Sequence, residues 1–257
     1  MKLFDTHVHL NNPKLKKNLD NVIKNAIDDG VKKMVCIGYD IETSLAAIDI
    51  AYSYPGLVYA SVGIHPTECL DTTNQDLDRI KNMLKEPCVV ALGEIGLDYH
   101  WKNVEPERQK EIFIKQIKIA KEMNMPVTIH SRDAIGDTYE ILKNEGIEEV
   151  GGIMHSYPAS VEMAQQFIDL NMYISLSGVV TFKNARKTKE VAKDISLDYL
   201  LLETDAPYLT PEPYRGKTNY PQYTYYVAEE IAKLKNISVE EVIDATYNNA
   251  MKVYKLI

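Results

Sequence analysis

The chain has 257 residues and a formal net charge of −8, from 29 lysines and arginines against 37 aspartates and glutamates. Hydrophobic residues make up 45%, and no tract is of low complexity, which excludes a disordered chain. The acidic balance excludes broad, nonspecific duplex binding, which needs basic faces to displace counterions, but a metal ion and a few local cations can still hold a single phosphate.

In chain order, apolar β-rich runs alternate with helical patterns. A first strand is predicted at residues 3–8. Leu15, Leu19, Val22, Ile23, Ala26 and Ile27 then share one helical face, and Gly30 is placed to stop that helix. Strands follow at 33–38, 57–64 and 88–95. Ile112, Ile119, Ala120 and Met123 form an apolar stripe ended by Pro126, and the next strand is 126–130. Strands at 152–155, 172–177 and 199–203 complete the set. Ser238 with Glu241 reads as a capping box opening a last helix, carried on by Val242, Ala245, Thr246 and Asn249 and ended apolar by Val253 and Leu256.

Eight strands in this length give one unit per about 32 residues, the size of a βα unit. Such alternation implies parallel strands and crossover helices. The expected fold is α/β, a (β/α)8 TIM barrel of the metal-dependent hydrolase type, as one domain over 1–257. An open dinucleotide-binding sheet would want a glycine-rich turn after the first strand. The sequence there, Val8-His9-Leu10-Asn11-Asn12-Pro13, has no glycine.

Cys36, Cys69 and Cys88 form no C-x-x-C pair and are odd in number; Cys36 and Cys88 read as buried fillers. Residues 1–10 carry Asp5, His7 and His9 where a secretory signal needs an apolar stretch, and no run approaches the ~18 apolar residues of a spanning helix. A cytoplasmic protein is expected, with no membrane contact and no obligate protein partner.

The six histidines are His7, His9, His65, His100, His130 and His155. His7 and His9 close the first strand, His65 the third, His130 the fifth and His155 the sixth; Glu94 and Asp205 sit at the ends of the fourth and eighth. In a barrel these ends meet at one face, where active sites lie. Alternation puts His7 and His9 on one side with Asp5 a layer deeper. It puts Glu203 with Asp205, while Leu200 and Leu202 face the helices. Asp5 and Glu203 are thus candidates for orienting imidazoles from behind. The expected cofactors are two divalent ions, among zinc, manganese and magnesium. The nitrogen and oxygen mix favours transition metals over the oxygen cages of magnesium or calcium.

The motifs Asp5-Thr6-His7-Val8-His9-Leu10, Gly63-Ile64-His65-Pro66, Gly93-Glu94-Ile95-Gly96-Leu97-Asp98-Tyr99, His130-Ser131-Arg132, Met154-His155-Ser156, Glu203-Thr204-Asp205-Ala206-Pro207 and Pro213-Tyr214-Arg215-Gly216-Lys217 stand in this order along the chain. Together with 109–120 (Phe113, Gln116) and Asn249-Ala250, they resemble the TatD family of metal-dependent deoxyribonucleases. His-x-His alone would indicate only the wider amidohydrolase group. The resemblance implies metal ligands at His7, His9, Glu94, His130, His155 and Asp205, with Glu94 bridging the ions. It also implies phosphodiester hydrolysis on DNA, typically as a 3′–5′ exonuclease. The segment His155-Ser156-Tyr157-Pro158-Ala159 departs from a frequent family pattern, His-Ser-Phe-Ser-Gly, a difference that bears on substrate positioning and keeps the candidate ligand.

The same resemblance places His65 near substrate, as a phosphate or transition-state contact. His100 precedes the only tryptophan, Trp101, whose ring offers a base-stacking face. Arg132, two residues after His130, is a candidate phosphate contact, as are Arg215 and Lys217 after strand eight, since barrels often hold phosphate with the loops after strands seven and eight. Tyrosines 220, 223, 225 and 226 read first as packing, with nucleobase contact as the alternative.

The expected activity is hydrolysis of DNA, or RNA, at strand ends, single-stranded DNA above all. A metal-bound water, its pKa lowered toward ~7, attacks phosphorus. The same resemblance implies Asp205 as the general base, and Arg215 and the ions are expected to stabilise the phosphoryl charge. The same site acting on a carbonyl would make an aminoacyl-tRNA deacylase or another ester or amide hydrolase. A non-catalytic metal- or nucleic-acid-binding protein is the rival of another class.

Overall fold

The computed structural model describes residues 1–256. Eight strands lie side by side in sequence order, every hydrogen-bonded pair parallel. They are β1 (Leu3–Val8), β2 (Val31–Ile37), β3 (Val58–Val62), β4 (Val89–Asp98), β5 (Val127–Arg132), β6 (Gly152–Met154), β7 (Met172–Leu176) and β8 (Leu200–Leu202). A parallel bridge between Val8 and Ala206 joins the two edges. There the Asp205 N–H donates to the His7 carbonyl at 2.9 Å and the His9 N–H to the Ala206 carbonyl at 2.8 Å. The fold is the expected TIM barrel, and its seam runs through three of the candidate site residues.

β4 and β5 run further than predicted because they stay paired from Gly96↔His130 to Asp98↔Arg132. This carries Glu94, Asp98 and His130 toward the mouth. The helix expected at 15–27 is two pieces, Pro13–Lys16 and Leu19–Asp28. Leu15 is buried on the first, whereas Ile27 is 41% exposed and leaves the predicted face. Gly30, at φ +97°, does end the run. The helix Pro106–Glu122 stops before Pro126 because Asn124 turns left-handed at φ 50°. Only half of the last capping box forms: Ser238 accepts the Glu241 N–H, but its hydroxyl, not its backbone N–H, donates to the Glu241 carboxylate.

Leu200 and Leu202 pack with helix residues such as Val227, Ile231 and Val242. Leu201 instead joins Phe4, Val35, Ile37, Val90 and Ile153 in a second cluster closed by Val253 and Tyr254. Full burial of each such side chain stabilises by roughly 1.5–3 kcal/mol, so the barrel is a filled core with the polar site set on its rim. The three cysteines are free; Cys36 and Cys69 are buried, whereas Cys88, expected inside, is half-buried. Among the described residues no helix is long and apolar enough to cross a membrane.

Candidate metal centre

Two irregularities in the strands aim the central side chains. β1 gains a residue on β2 between Asp5 and Val8, and β4 gains one on β5 between Leu92 and Ile95. A bulge of this kind redirects the side chains at the slip, here His7 and Glu94. Gly93 is required beside it, because a Cβ there would stand 2.6 Å from Thr128 Cβ. Asp205 takes a left-handed backbone, φ 55°, fixed by the His7 carbonyl on its N–H and by the Tyr208 N–H on its carbonyl.

Glu94 sits between imidazoles. Its Oε2 lies 3.4 Å from His7 Nε2. Its Oε1 lies 2.9 Å from His130 Nδ1, 3.7 Å from His155 Nε2 and 3.7 Å from His65 Nε2. Asp205 Oδ1 is 3.2 Å from His9 Nε2 and 3.7 Å from His7 Nε2. The His7 and His155 rings stack at 3.6 Å. All six expected ligand residues therefore converge, and His65 joins them.

The donor set fits a cation. Both ring nitrogens of His7 and Nδ1 of His9 are buried without a hydrogen-bond partner. Buried polar atoms are normally satisfied, and a divalent ion satisfies an imidazole lone pair. Donor atoms lie within 4.8 Å of one another in His7–His9–Glu94, in His65–Glu94–His130 and in His7–His155–Glu203. Two of the three groups share Glu94. In the third, Glu203 faces His155 Nδ1, the nitrogen turned away from Glu94, which suits an orienting contact better than ligation.

Electrostatics match this arrangement. Burial opposes charge on Glu94, but His155, His7 and His130 outweigh it and hold the carboxyl well below its usual range. Burial likewise opposes charge on Asp205, and its hydrogen bond with His9 and the charge of His155 hold it ionised below the usual value. Burial disfavours a charged His155, yet Glu203 and Glu94 push it up to about 10. His9 and His130 are also raised against burial, the first by Asp205, the second by Asp98 and Glu94. His7 is lowered by burial and by His155. Burial and the neighbouring His130 bring His65 down to about 3.

Glu203 stands where alternation put it: fully buried, its Oε1 2.8 Å from His155 Nδ1 while accepting the Ser156 N–H at 3.0 Å. Asp5 does not do what was expected of it. Its oxygens accept the Thr204 N–H and hydroxyl and the His7 backbone N–H, and it bonds no imidazole. The bulge between Asp5 and Val8 breaks the alternation that aligned it with His7. Burial pushes its carboxyl up to about 8.

Asp98 was missed as a site residue. It is buried, with Oδ2 2.9 Å from His130 Nε2 and Oδ1 accepting the N–H groups of His100 and Trp101. The available signal was its position four residues after Glu94, with Ile95 and Leu97 buried in the outer core between them. Two glutamines of the helix Pro106–Glu122 were also unassigned. The Gln116 amide donates to the Ile64 carbonyl and accepts the Ile64 N–H, both at 2.9 Å, beside His65. Gln109 clamps the Asp98 peptide groups in the same way at 2.8 Å.

The remaining candidates spread around the rim. His100 does not join the cluster: its Nδ1 is 3.4 Å from Asp133 and its ring meets Trp101 edge-on. Arg132 lies over the Trp101 ring at 5.8 Å. Arg215 lies over Phe182 at 4.2 Å and Lys217 over Tyr214 at 5.6 Å, both exposed and held by aromatic rings rather than by the imidazoles and carboxylates. The tyrosines pack on one another, with Tyr214 and Tyr223 stacked at 4.6 Å, and Tyr220 and Tyr225 reach the core.

Over residues 4–255 the chain matches the sequence model of the family described as TatD related DNase. The chain belongs to the TatD family. It is 47% identical to the metal-dependent hydrolase YabD of Bacillus subtilis over 99% of both chains. It is 38% identical to the metal-dependent hydrolase YcfH of Escherichia coli K12, covering all of this chain and 97% of that one. Among solved structures, YJJV, a TatD homolog from Escherichia coli K12, matches with a TM-score of 0.93 at 29% identity over 98% of each chain. This TatD-family chain is a metal-dependent hydrolase, and the non-catalytic alternative is set aside.

Proposed function

We propose that this hydrolase cleaves phosphodiester bonds at the ends of DNA strands, as a 3′–5′ exonuclease. The observation that carries the reading is Glu94, with His7 at one carboxylate oxygen and His130 and His155 at the other. That arrangement supports two divalent ions, zinc or manganese before magnesium, held by His7, His9, Glu94 and Asp205 on one side and Glu94, His130 and His155 on the other. Bound there, the ions would supply an acidified water and neutralise phosphoryl charge.

The chain's own groups divide the remaining work. Asp205, kept ionised between His7 and His9, accepts the proton of the attacking water. His65 Nδ1 accepts the Thr67 N–H, so the neutral ring carries its proton on Nε2, toward Glu94 and the centre. It can donate that proton's hydrogen bond to a phosphoryl oxygen without adding charge. Arg132 at the end of β5 and Arg215 and Lys217 after β8 attract the flanking phosphates. Glu203 holds His155 from behind. We also assign the protein to the cytoplasm, on its three free cysteines.

The test compares protein stripped by chelator with protein reloaded with zinc or manganese. The substrates are an end-labelled single-stranded oligonucleotide and an aminoacyl-tRNA. Stepwise shortening from the 3′ end, only after reloading, is expected. Release of amino acid without nucleotide would replace this reading by the deacylase one, and full nuclease activity in excess chelator would remove it.

A further inference from the structure

We propose that the cavity between Trp101 and His130 receives one nucleobase of the substrate, the base beside the scissile phosphodiester. The proposal rests on the phosphodiesterase reading and adds to it the group that is recognised. The cavity holds about 370 Å³ and is lined by His65, Thr67, Asp98, Trp101, Asn103 and Arg132, among others, so it opens directly from the centre. Its wall is aromatic: Trp101 is 55% exposed, its ring perpendicular to that of His100 and with the Arg132 guanidinium 5.8 Å from its centre.

The wall is held in place before any substrate arrives. Asp98 Oδ1 accepts the backbone N–H groups of His100 and Trp101 at 3.0 and 3.1 Å. The Asn103 amide donates to the Thr67 carbonyl at 2.7 Å, closing the opposite side. A loop backbone already fixed loses little freedom when a base stacks on the ring it carries. Every base presents a π-face, so stacking here grips a strand end of any sequence. The Arg132 guanidinium adds a cation next to the backbone phosphate. Asp98 thereby serves two structures at once, with Oδ2 on His130 and Oδ1 on the stacking wall.

Trp101 is the only tryptophan of the chain, so its fluorescence reports this cavity alone. In zinc-supplemented protein, deoxyadenosine 5′-phosphate should quench that emission and deoxyribose 5-phosphate should not. For turnover, three oligonucleotides are compared: one intact, and two with a single abasic residue on either side of the scissile bond. One abasic substrate should lose about 5- to 150-fold in kcat/KM, the range of a base–aromatic stack. Trp101→Ala should lose a similar factor on the intact strand and nothing further on that abasic one, and Trp101→Phe should keep most of the rate. If wild type cleaves all three equally, or Trp101→Ala keeps the full preference for a base, the pocket assignment fails while the phosphodiesterase reading stands. If no oligonucleotide is cleaved, both fail.

Discussion

Asp98→Asn changes one atom and should weaken the metal centre through His130. Asp98 Oδ2 lies 2.9 Å from His130 Nε2, and Oδ1 accepts two backbone N–H groups. An asparagine has one oxygen and one NH2. With the oxygen toward His130, the NH2 confronts the N–H groups of His100 and Trp101. With the oxygen toward those N–H groups, the NH2 confronts Nε2 and drives the imidazole proton to Nδ1, the nitrogen that faces Glu94 at 2.9 Å. Neither orientation keeps both contacts. A hydrogen bond to a charged group contributes roughly 1.5–3 kcal/mol, and loss of a carboxylate behind a metal-binding histidine typically costs 10–100-fold in affinity or activity, a consistent range. The assay is zinc affinity by chelator competition, with 15N shifts of the imidazoles to read the tautomer. Wild-type affinity for both ions, with unchanged His130 shifts, would refute the reasoning.

Other outcomes follow from the same geometry. Asp205→Asn should lower kcat by about 10²–10⁴-fold or more, since a ligand and a proton acceptor go together, with melting little changed; Arg215→Ala should keep part of the rate, and Arg215→Lys should recover only some of the loss, because an ammonium lacks paired donors. Near-normal turnover of Asp205→Asn with its full metal content would exclude Asp205 as the base. Gln116→Leu leaves the buried N–H and carbonyl of Ile64 without partners, so urea unfolding should show a loss of about 2–4 kcal/mol; an unchanged midpoint would contradict the clamp. His155, raised to about 10, holds a proton at neutral pH in the metal-free protein, and the upward shifts of His9 and His130 favour theirs. Metal binding must expel them, so affinity should fall as pH falls and calorimetry should detect proton release that varies with the buffer; no release would contradict these shifts. Binding of single strands should weaken with salt at about −0.7 per neutralised phosphate, for a total of two or three phosphates; the steep slope of a large DNA-wrapping protein would contradict the small cationic rim.

The barrel was legible because apolar β-rich runs and helical stripes alternate without interruption, and because barrel closure brings strand ends to one face. His7, His9, Glu94, His130, His155 and Asp205 could therefore be gathered from positions almost two hundred residues apart. Glu203 was legible for the same reason: its parity on the last strand was undisturbed. Asp5 was misread because a one-residue bulge reverses parity between it and His7, and such a slip leaves no mark in a single sequence. Asp98 escaped because β4 looked finished at Ile95; only its pairing with β5 extends it. Gln109 and Gln116 carry no chemistry of their own, and their use as backbone clamps depends on loops brought to the helix by the fold. Ile27 shows a limit of periodicity: it shares one helical piece with the buried Val22, Ile23 and Ala26 but sits at the rim of their face and stays exposed.

The most direct measurement is anomalous diffraction from crystals loaded with manganese and a non-hydrolysable dinucleotide. The account predicts two anomalous peaks, one on each side of Glu94, the first among His7, His9 and Asp205 and the second at His130 and His155. A phosphate should lie against both, with one base on Trp101. A lone peak among His7, His155 and Glu203, or a dinucleotide bound away from Glu94, would contradict it.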